Sequence, residues 1–122
     1  MAGVISGLKR PCHVVGVSAL KGVAEQRQSI EAFVGSDLRE GVTFEIVPEL
    51  QYGGYAVCPP ELRDNIAVWE QRFGFELEPV YSAKALSVAL RLQISGALPG
   101  HTMLLHTGGL QGRRGFPQLL RS

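Results

Sequence analysis

The chain has 122 residues, 45% hydrophobic and 19% charged, a balance that excludes a disordered polymer and fits at most one globular domain. A formal net charge of +1 gives no electrostatic reason to bind nucleic acid or an anionic membrane, and no apolar run approaches the length of a bilayer span. Residues 1–10 lack a basic n-region and a cleavage-site pattern, which argues against a signal peptide.

In chain order the pattern alternates helix and strand, predicting an α/β fold with a mainly parallel sheet. Residues 1–8 read as a short helix of small residues, ended by Pro11. Residues 13–17 read as a buried strand, because the β-branched side chains run together rather than alternate. Residues 22–34 carry Val23, Ile30, Phe33 and Val34 among polar positions, an amphipathic helix closed by Gly35. A second strand follows at 42–47, limited by Pro48. Tyr52-Gly53-Gly54-Tyr55 reads as a sharp turn. Pro60 opens a helix to about Phe73, with Leu62, Ile66 and Trp69 on one face. Pro79 opens another through Ile94, stopped by Gly96, and residues 103–106 read as the last strand. The expected architecture is a partial open parallel sheet of about three strands with flanking helices, too small to cover its own edges and so a piece of something larger.

Cys12 and Cys58 form neither a CxxC pair nor a disulfide framework, and two reduced cysteines in a cytoplasmic protein is the plain expectation. His13, His101 and His106 lack metal-ligand spacing, so no metal is expected. Lys9, Lys21 and Lys84 read as exposed helix or turn residues, and Arg113-Arg114 as a solvated basic turn.

Two segments carry chemistry. His106-Thr107-Gly108-Gly109-Leu110-Gln111-Gly112 follows the expected last strand, at the carboxyl end where open α/β sheets bind ligands. Thr107 there can bond a ring heteroatom while Gly108 and Gly109 let the backbone come close; taken alone, the glycine pair reads more often as a plain tight turn. Glu78-Pro79-Val80-Tyr81-Ser82-Ala83-Lys84 lies at a helix start, where free N–H groups and the dipole favour an anion. Tyr81 could act there as a general acid or base, although spacing alone favours a partly buried Tyr with its hydroxyl satisfied.

Together with Gly54-Tyr55-Ala56-Val57 and Val15-Gly16-Val17-Ser18-Ala19-Leu20-Lys21-Gly22, these segments resemble, in order and spacing, the C-terminal part of the D-cysteine desulfhydrase and 1-aminocyclopropane-1-carboxylate deaminase family. The resemblance implies a fold-type-II enzyme, like the tryptophan synthase β subunit, using pyridoxal 5′-phosphate (PLP) on a small amino-acid substrate, with full-length members homodimeric. It places Tyr81 beside the substrate as acid/base, Tyr55 and Ser82 in the substrate cavity, and Thr107, with Gly108 and Gly109, near the coenzyme ring. The deaminases carry Glu at the position of Ser82 and Leu at that of Thr107. The Ser/Thr combination here looks like the desulfhydrase branch, which converts D-cysteine to pyruvate, ammonia and hydrogen sulfide.

Residues 1–8 are similar to the end of the family's phosphate-binding glycine loop. On that alignment the whole chain, 1–122, is roughly the final third of the enzyme, without its Schiff-base lysine segment. A non-catalytic truncated fragment therefore stands beside the enzyme reading, and a small ligand-binding α/β module behind both.

Overall fold

The computed structural model describes residues 1–98 and 100–120, which fall into two units, Met1–Pro48 and Glu49–Ser122. In the first unit, helix α1 (Ala2–Gly7) precedes strand β1 (Cys12–Ser18), helix α2 (Val23–Val34), a 3₁₀ turn and strand β2 (Val42–Pro48). The strands pair in parallel, in register from Cys12 opposite Val42 to Ser18 opposite Pro48. The period of two sends Val42 and Phe44 to one face, where they meet Ile5 and Val34, with Val14 and Ile30 packed against them. The opposite face carries His13, whose ring bonds Thr43 Oγ1 at 2.6 Å and Glu45 Oε1 at 3.0 Å.

Ile30 and Val34 stand one turn apart on α2 and both face the core. Phe33, expected on the same stripe, is 76% exposed, because it lies about 100° round the helix from Val34.

The second unit is built on two helices, α3 (Pro60–Phe73) and α4 (Ser82–Ile94), followed by 3₁₀ segments at Leu110–Gly115 and Pro117–Leu119. Pro60 fits the first turn of α3, where its missing N–H is no loss, and Gly74 ends that helix in the left-handed region. Leu62 and Ile66 of α3 pack with Tyr52, Leu77, Ala83 and Leu86, and Trp69 leans on the same cluster. The first two turns of α4 are buried nearly all round, since Ser82, Ala83, Lys84, Leu86, Ser87 and Val88 are all inside. Small residues at Ser82, Ala83 and Ser87 let neighbouring chain pack closely on this central helix.

The α/β layering expected from the sequence is present, but among the described residues the sheet has two strands rather than three. Residues 103–106 run without strand pairing, and Met103 is 89% exposed. The apolar run is real; a strand also needs a ladder partner, and none joins this segment among the described residues.

Candidate functional site

In the second unit Tyr81, Ser82, Gly109 and Gly112 lie against Glu78. This carboxylate is buried and caps the start of α4. Its Oε1 accepts from the amides of Tyr81 at 2.6 Å and Ser82 at 2.5 Å, and its Oε2 from Val80 at 2.7 Å. The Glu78 carbonyl also takes the amide of Ala83 at 3.0 Å. The free N–H groups expected there for an anionic ligand are thus consumed inside the chain: a carboxylate three residues upstream already meets the helix dipole.

Ser82 shares this arrangement. Its hydroxyl accepts from the Glu78 amide at 2.8 Å and donates to the Glu78 carbonyl at 3.2 Å. Ser82 is buried and its hydrogen-bonding capacity is turned toward Glu78.

Tyr81 sits at the N-cap of α4, 51% exposed, and Tyr55 in the glycine turn is 54% exposed. Their rings stand 6.1 Å apart at 57°, and the Tyr81 hydroxyl donates to that of Tyr55 at 3.4 Å. This hydrogen bond, ahead of some burial and the nearby charge of Glu78, raises the pKa of Tyr81 above its usual value. Both phenols are accessible, and the Tyr81 proton is held.

The glycine segment comes to the same helix end by way of Glu78. Gly109 has φ of 84°, a conformation open to glycine. A Cβ at Gly109 would stand 3.8 Å from Glu78 Cγ, and one at Gly112 3.8 Å from Glu78 Oε2. Thr107 and Gly108 are exposed. Thr107 makes no hydrogen bond to either phenol among the described residues. His106 accepts from the Gly108 amide at Nδ1, 3.0 Å, so its Nε2 carries the proton and donates to the Glu76 carbonyl at 2.9 Å. Its ring meets Phe75 edge-on at 5.8 Å.

Sequence reasoning missed two cations here. Arg113 is no solvated turn residue: it pairs with Glu70 of α3 and donates to the Leu77 and Leu119 carbonyls, tying the turn to the helix pair. Lys84, expected exposed, is fully buried. Its Nζ donates to the Gly54 carbonyl and lies 3.9 Å from Glu49 Oε2. Burial lowers its pKa, with Glu49 pulling the other way. No local spacing announces either residue, because their partners lie 43 and 30 positions away. Cys58, half-buried, has its thiol pKa pushed up by burial, which disfavours the thiolate form. Among the described residues no group of three His, Cys, Asp or Glu could hold a metal ion, and no helix is long and apolar enough to cross a membrane.

Fold and site together define an α/β chain with an accessible phenol pair at a carboxylate-capped helix end. No family model and no solved structure matches it. Over 75 residues it is 35% identical to a Pyrococcus horikoshii protein named "Putative 1-aminocyclopropane-1-carboxylate deaminase". The match takes in 59% of this chain and 23% of that protein, so the chain spans under a quarter of the relative's length.

Proposed function

We propose that this chain is the substrate-facing part of a PLP-dependent lyase or deaminase acting on a small amino acid, with D-cysteine as the substrate. The observation that carries the reading is the contact between the Tyr55 and Tyr81 hydroxyls at 3.4 Å, both phenols half-exposed. The two tyrosines stand 26 positions apart in the chain, and the family resemblance put both beside the substrate.

The residues present suit the ring side of the coenzyme: Thr107 offers an exposed hydroxyl to a pyridine nitrogen, beside glycines that permit close approach. They do not supply its covalent anchor, since Lys84 is the only lysine of this unit and is buried and engaged. When bound, PLP supplies an electron sink for charge developing on the substrate carbon. The rest falls to the chain. Tyr81, its pKa raised, stays protonated at neutral pH and gives its hydrogen bond to Tyr55 rather than acting as a base. By accepting from Tyr81, Tyr55 keeps its own proton free to donate toward a substrate group. Glu78 holds Tyr81 at the helix start, and the Ser82 hydroxyl in turn accepts from the Glu78 amide. A donor of this kind suits protonation of a departing thiolate in β-elimination, which converts D-cysteine and water to pyruvate, ammonia and hydrogen sulfide.

A second reading, 1-aminocyclopropane-1-carboxylate deamination, is favoured by the name of the Pyrococcus relative. Neutral Ser82 and Thr107 favour the first, because a hydroxyl near the ring nitrogen deepens the electron sink less than a carboxylate would.

A stable, reduced adduct of PLP with D-alanine needs no lysine and tests the site directly. Titrated into ¹³C-tyrosine-labelled chain, it should shift the Tyr55 and Tyr81 signals saturably, and Tyr81→Phe should weaken binding about tenfold, the loss of one hydrogen bond. Absence of any saturable shift at millimolar adduct sinks the proposal.

A further inference from the structure

The Tyr55 side of the phenol pair is held by a residue that takes no part in the chemistry proposed above. Lys84 lies two residues into α4, fully buried, with Nζ donating to the carbonyl of Gly54, directly before Tyr55. Its other neighbour is Glu49, Nζ to Oε2 3.9 Å. Glu49 Oε1 is spent on the amides of Gln51 at 2.6 Å and Tyr52 at 3.2 Å, and Oε2 has no hydrogen-bond partner among the described residues. Lys84 therefore faces both ends of segment 49–54 at once. That segment has little stiffness of its own at the bend, where Gly53 and Gly54 hold φ of 85° and 116°. Tyr81, meanwhile, stands three residues before Lys84 on the same helix end.

We infer that Lys84 is a positioning residue: its ammonium pins the Gly53-Gly54 bend to α4 and so sets the contact between Tyr55 and Tyr81. As a statement about a substrate site this rests on the function proposed above; as a statement about the phenol contact it stands on the geometry. A lysine that is fully inside, bonded to a carbonyl and facing a carboxylate is occupied as a strut and withheld from chemistry as a nucleophile.

The test needs no ligand, so its failure is distinct from failure of the adduct to bind. Lys84→Met keeps the apolar stem and removes the donor. In the folded variant, hydrogen exchange across residues 51–58 should quicken tenfold or more while α3 keeps its protection. The Tyr81 phenol, followed by ¹³C NMR, should titrate closer to the ordinary 10.0. Removing a positive charge would by itself push that titration upward, so a fall reports the lost phenol contact and not the lost charge. Should Lys84→Met fail to fold, Lys84→Met combined with Glu49→Gln carries the exchange test, because the introduced amide keeps an oxygen for the two backbone N–H groups and leaves no lone buried charge. A folded variant with unchanged exchange, or a folded Lys84→Met with Tyr81 unmoved or shifted upward, overturns the inference. Failure of both variants to fold also overturns it, since Lys84 would then hold the whole unit and not the bend.

Discussion

Ala56 holds φ of 57°, the left-handed region, immediately after Tyr55. An L-residue there carries roughly 1–2 kcal/mol of strain, and glycine would relieve it while losing about 0.4–1 kcal/mol through its freer unfolded chain. Ala56→Gly should therefore stabilise the chain by a net ~0.5–1 kcal/mol in urea unfolding. The phenol pair gives a second expectation. Tyr81 owes its raised pKa first to Tyr55, so Tyr55→Phe should return its titration toward 10.0. The sign for stability follows. The folded chain holds the Tyr81 proton more tightly, so that contribution is complete below the unfolded value of 10.0 and is lost as pH rises through the higher folded one. Tyr55→Phe should flatten the fall in stability in that alkaline window, measured by urea melts across pH.

At the scale of elements, α4 depends on a carboxylate outside it. Glu78→Ala strips the acceptor from the amides of Val80, Tyr81 and Ser82 and should cost about 2 kcal/mol or more. Glu78→Gln, keeping one oxygen, should cost less, the ordering being read from denaturation midpoints. Helices and the first two strands were legible in the sequence to within a residue or two at most ends and three at the start of α4, because their signals are local: β-branched runs, apolar residues a turn apart, Pro60 at a start. The third strand was not, since its apolar run at 103–106 says nothing about whether a ladder partner exists. The candidate site divides the same way. Tyr55 and Tyr81 were singled out and do meet, while Ser82 proved to be turned toward Glu78 and Arg113 and Lys84 to be struts. Those three outcomes depend on which backbone carbonyls and carboxylates fold up against them, and spacing along the chain does not encode that.

For the molecule as a whole, a two-stranded parallel sheet leaves one edge of β1 and one of β2 without a ladder neighbour in it. Exposed edges of this kind invite pairing with another copy. The chain should sediment as concentration-dependent oligomers, and Val15→Lys, placing a charge on the strand face opposite the core, should shift it toward monomer. The adduct titration above belongs at low protein concentration for that reason.

The internal engagement of Lys84 reaches into how any coenzyme experiment on this polypeptide must be read. Incubation with the free aldehyde followed by borohydride will fix label on whichever lysines water can reach, and those are Lys9 and Lys21. Peptide mapping should find Lys84 unmodified in the native chain and modified once urea opens it. A yellow, reducible product is thus no sign of an organised centre unless the tag is traced to its position.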